Sequence, residues 1–324
     1  MTERTIAVAD VGGTHARFAL AQIERGKVLK LGEPLTLKTA DYASFQTATE
    51  AFTAQIGRAL PHEMSMAFAG HVGGEVLKLT NNPWVIRPAL MNPKLGIERH
   101  LIVNDFEAVA HAVATLHLAD FRHLCGPPVP LPDDGVITVL GPGTGLGVAQ
   151  LLMRKNGYEV VATEGGHIDF APLDSLEDKI LSYLRTSFRR VSVERLISGR
   201  GLVNIMEALA SIEGRALPLR DEKQLWMAAM DGSDSLAAAA LDHFCLTLGA
   251  LAGDLALAQG STAVVIGGGL GYRLADHLPR SGFRTRFIAK GRFESLMDKM
   301  PVKLITHPQP GLYGAAAAFA RANP

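Results

Sequence analysis

Residues 6–23 read IAVADVGGTHARFALAQI, and residues 136–153 read VITVLGPGTGLGVAQLLM. Each is an apolar run, a glycine turn that includes a threonine, and a second apolar run. Strand–glycine turn–strand, once in each half, predicts a weak structural repeat rather than a duplicated sequence. Glycine lets a phosphate approach backbone N–H groups closely because it has no Cβ. A dinucleotide fingerprint needs a helix after its glycines, whereas a strand follows here, and no G-K-[S/T] ends either turn. A phosphate held in the bend of two β-hairpins is therefore the functional reading, and plain tight turns are the structural alternative. Asp10 ends the first strand, where it is either a turn-initiating aspartate or a Mg²⁺ ligand, direct or through water.

Outward from these turns, Ile6–Val11, Ala16–Ile23 and Val28–Leu37 read as a three-stranded meander, followed by a helix over 41–59. Met64–Ala69 and Glu75–Leu79 read as strands, and Leu101–Asn104 as a strand running into a helix near Phe106 with apolar spacing Phe106, Val109, Ala110, Val113, Leu116. The proline- and glycine-rich stretch 125–135 is the expected connection near a domain boundary. Helices are expected over 175–188, 193–197, 201–211, 221–230 and 235–259. Strands are expected at 264–266, ending in Gly267-Gly268-Gly269, and at 302–305, before an alanine-rich helix over 311–321.

The chain has 324 residues, 48% of them hydrophobic, enough for two domains or one large one. Thirty-two basic residues balance 32 acidic ones, so no electrostatic footprint for nucleic acid or an anionic membrane is expected. Cys125 and Cys245 form no C-x-x-C pair, which argues against a disulfide framework or a zinc site and for reduced thiols in a cytoplasmic protein. MTERTIAVAD has no apolar segment before a cleavage site, so no secretory leader is expected. The apolar stretch 236–258 contains Asp242, His243 and Asp254 and reads as a buried helix rather than a membrane span.

Asn104-Asp105 stands where a strand meets a helix. As a pair these residues are either an N-cap or a general base (Asp105) beside a hydroxyl-binding amide (Asn104). Glu164-Gly165-Gly166-His167 places two hydrogen-bonding side chains beside two glycines, which suits a sugar's hydroxyls. A lone glutamate and a satisfied core histidine are the alternatives. Glu194, after Ser192, is by itself an acidic residue in a helix's first turn. Gly267–Gly269 permits a flat ring such as adenine to approach, or makes a plain turn.

Together these strings resemble the bacterial glucokinase family, within the sugar kinase, Hsp70 and actin superfamily. The resemblance runs through DVGGT (10–14), TNNPW (80–84), NDFEAVA (104–110), GPGTGLG (141–147), EGGHIDFAP (164–172), VSVERLISGRGL (191–202), IGGGL (266–270) and PGLYGAAA (310–317). It implies an α/β, two-domain sugar kinase/Hsp70/actin-like (ribonuclease H-like) fold with a deep interdomain cleft. The small α/β domain would be 1–115 plus 306–324, and the large α+β domain 116–305. It implies ATP-dependent phosphorylation of glucose at the 6-hydroxyl, with Asp105 as base and Asn104, Glu164, His167 and Glu194 as sugar ligands. Nucleotide would be held by Ala9, Asp10, Val11, Gly12, Gly13 and Thr14, by Gly141, Gly143, Thr144 and Gly145, and by Gly267, Gly268 and Gly269, with Mg²⁺ at Asp10. A homodimer is implied as well.

The chain departs from the family pattern at His15, Pro142 and Arg200. It also lacks the cysteine-rich zinc motif that the related repressor/open-reading-frame/kinase (ROK) group carries after its G-H-I string, since no cysteine follows Ile168 until Cys245. The rival readings are a kinase of another hexose or amino sugar, a sugar-sensing regulator, and an Hsp70- or actin-like ATPase switch. The regulator lacks room for a helix-turn-helix ahead of the first strand. The ATPase would not need Asn104, Glu164 and His167.

Overall fold

The computed structural model describes residues 3–79, 82–217 and 221–324. They divide into two compact units: Met1–His117 with Val160–Ala162 and His307–Pro324, and Leu118–Glu159 with Thr163–Thr306.

The first unit is built on β1 (Arg4–Val11), β2 (His15–Glu24), β3 (Lys27–Leu31), β4 (Leu35–Lys38), α1 (Phe45–Ile56), β5 (Glu63–Phe68), β6 (Leu77–Lys78), β7 (Val85–Ile86), α2 (Met91–Leu95), β8 (Arg99–Asn104), α3 (Asp105–Thr115) and the C-terminal helix (Pro310–Ala322). Its main sheet runs β3-β2-β1-β5-β8, with β4 also paired to β2. β1 is antiparallel to β2 and parallel to β5, and β5 is parallel to β8. β1 is covered on both faces. Ala7, Ala9 and Val11 join Phe18, Phe45, Phe52 and Trp84 on one side, while Ile6 and Val8 join Leu312, Ala316 and Phe319 on the other. That two-sided burial is why the strand is an unbroken apolar run.

The C-terminal helix lies against α3 so closely that a Cβ on Gly314 would sit 1.7 Å from the Ala108 carbonyl. Glycine there and alanine around it let the two backbones meet. The strand expected over 28–37 is two strands, because Gly32 turns back to donate its N–H to the Leu20 carbonyl and Pro34 follows. The helix expected over 41–59 is α1, cut to Phe45–Ile56 by a Ser44/Thr47 capping box and by Gly57 in the left-handed region. The strand expected over 75–79 is reduced to Leu77–Lys78. In the TNNPW string, Thr80 and Asn81 lie outside the described residues.

The second unit contains β9 (Phe121–Cys125), β10 (Gly135–Pro142), β11 (Leu146–Arg154), β12 (Gly157–Thr163, except Val160–Ala162, which group with the first unit), α4 (Ser175–Leu184), α5 (Gly199–Glu213), α6 (Glu222–Asp231), α7 (Ser235–Gln259), β13 (Ser261–Ile266), α8 (Gly268–Arg273), α9 (Phe283–Ile288), α10 (Glu294–Asp298) and β14 (Val302–Ile305). Its sheet runs β12-β11-β10-β13-β14-β9. β10 is antiparallel to β11 and parallel to β13, which is parallel to β14. This repeats the meander-then-parallel-strands plan of the first unit.

β9 and β12 were not read from the sequence, and the proline-rich stretch after Cys125 links β9 to β10 inside this unit. The helix expected over 175–188 ends at Leu184, and that over 193–197 is a single 3₁₀ turn, Val193–Arg195. α7 is long and apolar enough to cross a membrane by length and composition, yet 72% of its most apolar window is buried inside the unit. Gly249 and Gly253 of α7 face α9, where a Cβ would meet the Phe283 carbonyl at 2.1 Å and the Phe287 carbonyl at 2.6 Å.

Candidate active site

In the first unit the turn between β1 and β2 spends its carbonyls on the protein. Gly12 N–H bonds the His15 carbonyl at 3.0 Å, and the Thr14 carbonyl accepts the Thr39 N–H at 3.1 Å. The Gly13 carbonyl accepts from two side chains, Thr39 Oγ1 at 2.7 Å and Asn82 Nδ2 at 3.1 Å. The N–H groups of Gly13 and Thr14 have no partner among the described residues. Neither Gly12 nor Gly13 has positive φ, and a Cβ on Gly12 would meet nothing nearer than the His15 carbonyl at 3.5 Å. Neither backbone strain nor packing asks for glycine at Gly12, and the missing Cβ leaves the neighbouring N–H groups open to close approach.

The sequence reading missed Thr39 and Asn82. Asn82 had a signal, since it sits in the TNNPW string. It is fixed there by accepting the Trp84 N–H at 2.9 Å, while Trp84 Nε1 donates to the Tyr42 carbonyl. Thr39, 2% exposed, has no local signal.

Asp10 lies opposite Arg17 across the β1–β2 ladder, 3.4 Å from its guanidinium. A Cβ on Gly311, in the first turn of the C-terminal helix, would lie 2.9 Å from Asp10 Oδ2, so PGLYG is glycine there to seat the helix on this carboxylate. Burial raises the Asp10 carboxyl above the usual range, and Arg17 lowers it in part. Among the described residues no group of three or more metal-ligating side chains occurs. A single carboxylate beside the first glycine turn fits the kind of Mg²⁺ site that takes one or two carboxylates from the protein and the rest of its ligands from phosphates and water.

Asn104 is the N-cap of α3. Its Oδ1 accepts from Phe106 N at 2.9 Å and Glu107 N at 3.3 Å, with Glu107 completing the capping box. Its Nδ2 is 3.4 Å from the Gly70 carbonyl. Asp105 accepts from Phe106 N at 2.9 Å. The cap thus holds Asn104, and the Phe106 N–H holds Asp105, without excluding a role toward a ligand. Asp10 and Asn104–Asp105 stand at the same end of the sheet, with β5 between them (Asp10 beside Ala67, Phe68 beside Asn104), about 10 Å apart by strand spacing.

The second unit repeats the turn. Gly143 N–H bonds the Gly145 carbonyl at 2.8 Å, the Gly143 carbonyl accepts the Gly199 N–H at 2.9 Å, and Leu146 N–H goes to Glu194 Oε2 at 2.9 Å. Thr144 and Gly145 N–H have no partner among the described residues, and a Cβ on Gly143 would meet nothing within 4 Å. Each hairpin therefore offers two consecutive N–H groups and a threonine.

The glycine triplet does not simply end a strand, as expected: Gly268, at φ +77°, opens α8, and Gly267 N–H bonds the Leu140 carbonyl at 2.8 Å. A Cβ on Gly141 would lie 2.3 Å from the Gly267 carbonyl, and one on Gly268 2.5 Å from the Pro142 carbonyl. The GPGTGLG and IGGGL strings are thus in backbone contact, with Gly269 open beside them.

Glu164 precedes the 3₁₀ turn Gly165–His167 and His167 ends it, with His167 Nε2 3.9 Å from Glu164 Oε2 and both side chains mostly exposed. Gly166 and Gly165 are packed on β11, where Cβ atoms would lie 2.1 Å from the Leu146 carbonyl and 2.9 Å from Val148. Val193 N–H bonds the Ile168 carbonyl at 2.9 Å, tying the Glu194 turn to the Glu164–His167 turn. The fold therefore gathers Glu164, His167, Glu194 and the second glycine turn at one end of this sheet. Of the departures from the family pattern, His15 caps the first turn through its carbonyl and Pro142 pairs with Leu146. Arg200 is exposed and bonds Glu207 at 2.8 Å.

A family model described as Glucokinase matches residues 7–322. A glucokinase of Zymomonas mobilis subsp. mobilis is 64% identical over 315 residues, covering 97% of each chain. The crystal structure of a glucokinase from an Antarctic psychrotroph superposes with a TM-score of 0.82 at 33% identity, covering 97% of this chain and 98% of that one. A ROK family glucokinase from Streptomyces griseus, solved with glucose and AMPPNP, reaches a TM-score of 0.63 at 21% identity over 99% and 100% of the two chains, a likeness of fold alone.

Proposed function

The chain belongs to the glucokinase family, of the non-ROK bacterial type, and on that premise we propose that it transfers the γ-phosphoryl group of Mg·ATP to the 6-hydroxyl of glucose. The observation that supports this reading most is the pair of hairpin turns, Gly12–Thr14 and Gly143–Gly145. The Gly13, Thr14, Gly143 and Gly145 carbonyls are tied back, and the N–H groups of Gly13–Thr14 and Thr144–Gly145 are left for phosphate oxygens. Phosphoryl transfer is mostly positioning and charge stabilisation, and such turns supply both.

In this reading the two units are the two domains of the enzyme. Asp105 accepts the proton of the 6-hydroxyl, and Asn104 binds a neighbouring hydroxyl. Glu164, His167 and Glu194 bind the others. Asp10 takes the Mg²⁺ that accompanies the nucleotide, and Gly267–Gly269 border the adenosine. A homodimeric, cytoplasmic enzyme completes the reading, on the family resemblance.

Asp105→Ala should lower kcat by roughly 10²- to 10⁴-fold, the worth of a general base, with glucose binding kept; near-normal kcat would remove Asp105 from that role. The reading as a whole is tested by ADP release from Mg·ATP with and without glucose, then with fructose, mannose and N-acetylated sugars. Strong stimulation by glucose is expected. Stimulation by another sugar instead would change the substrate, and turnover independent of sugar would overturn the kinase assignment.

A further inference from the structure

The proposed sugar ligand Glu194 is also bonded to the second phosphate turn. Its Oε2 accepts the Leu146 N–H at 2.9 Å. A Cβ on Gly145 would lie 2.6 Å from that same oxygen, so any side chain there would have to move the carboxylate off the turn. Five residues on, Gly199 N–H holds the Gly143 carbonyl, and Trp226 Nε1 fixes the Gly199 carbonyl at 3.0 Å. One short segment, 194–199, thus grips the turn at both ends. Glu194 takes the N–H of Leu146 and Gly199 takes the carbonyl of Gly143. What remains unspent is the Thr144 and Gly145 N–H pair. A charge-assisted bond to a backbone N–H is among the stronger hydrogen bonds available to a side chain, and here it decides which way the peptide before Leu146 faces. Glu194 Oε1 has no partner among the described residues.

We propose that Glu194 is a positioning residue for the nucleotide's phosphate turn as well as a sugar ligand, and that it couples the two substrates. This rests on the kinase reading above. A sugar hydroxyl donating to one carboxylate oxygen fixes the other oxygen on Leu146 N–H, and the turn is then set before the phosphate arrives. Sugar therefore tightens nucleotide binding, and by reciprocity nucleotide tightens sugar binding to the same factor.

The test is calorimetric titration of Mg·ADP into the full-length protein, with and without glucose, in wild type, Glu194→Gln and Glu194→Ala. Wild type should bind Mg·ADP about five-fold or more tightly when glucose is present. Glu194→Ala should bind it several-fold more weakly without any sugar, and glucose should no longer matter. Glu194→Gln keeps a carbonyl oxygen for Leu146 N–H but loses the charge, so its sugar-free nucleotide affinity should lie between those of wild type and Glu194→Ala while its glucose affinity falls. Gly145→Ala gives a second route that leaves the carboxylate in the chain: its Cβ, 2.6 Å from Oε2, should push the carboxylate off the turn and weaken sugar-free nucleotide binding. Sugar-free Mg·ADP affinity equal to wild type in both Glu194→Ala and Gly145→Ala would overturn the inference and leave Glu194 a sugar ligand alone. A wild-type protein that binds no Mg·ADP would overturn the kinase reading, and the inference with it.

Discussion

Several side chains of the candidate site do two jobs at once. Asn104 caps α3, Asp105 opens that helix and accepts the Phe106 N–H, and the two are also the proposed hydroxyl ligand and base. Capping costs them little as ligands, because a helix N-cap fixes a side chain near backbone N–H groups in one geometry. Preorganisation of that kind is what a positioned base requires. The same economy holds at Thr39, whose backbone and hydroxyl both brace the first glycine turn. Thr39→Val removes one bond to the Gly13 carbonyl while nearly keeping volume. A net loss of about 0.5–1.5 kcal/mol in turn positioning corresponds to a KM for Mg·ATP about 2- to 13-fold higher, with the KM for glucose unchanged. Thr39→Ser should restore the wild-type value. Steady-state kinetics on the three proteins checks this, and an unchanged KM for Mg·ATP in Thr39→Val would show that the turn holds itself.

At the scale of elements, the first unit depends on the contact between α3 and the C-terminal helix. Gly314 lets the backbones touch at Ala108. Gly314→Ala should cost about 1–3 kcal/mol, as overpacking does, measured as a lower denaturant midpoint. His111 of α3, 9% exposed, is pushed down to about 4, first by burial and then by the Arg321 charge. In the unfolded chain it titrates near 6.5. Between about pH 6.5 and 4 the unfolded state binds this proton and the native state does not, so stability falls as pH drops through that window. The contribution reaches about 3 kcal/mol below pH 4. In His111→Leu the slope of unfolding free energy against pH over this range should flatten relative to wild type. Equal slopes in urea titrations at several pH values would place the proton elsewhere. In the second unit, α7 was legible over its whole length, since 25 residues between Asp234 and Gly260 carry both cap signals. Short α8, α9 and α10 carry none of comparable strength, and they were missed.

At the scale of the molecule, both cysteines are buried and their thiols are pushed up to about 12 by burial. A thiolate-specific reagent should therefore label neither in the native protein and two equivalents per chain after denaturation; rapid native labelling would contradict the burial. The two units share one plan, a meander whose first strand continues into parallel pairing, and in each the glycine turn falls at the same hairpin. That plan was readable because it is written locally. Apolar runs flank glycines, caps precede helices, and turn residues need no distant partner to reveal their type. The glycine turns, Asp10, Asn104–Asp105 and the EGGH string were found in this way. What joins Thr39 and Asn82 to Gly13, Glu194 to Leu146, Gly267 to Gly141 and Gly311 to Asp10 was not, because each pair is brought together from distant parts of the chain. A glycine that exists for the sake of a carboxylate 301 residues away looks in sequence like any other glycine. Hydrogen-bond partners and close backbone approaches depend on strand order and helix docking. These are decided by burial of the whole apolar surface, and no local pattern encodes them.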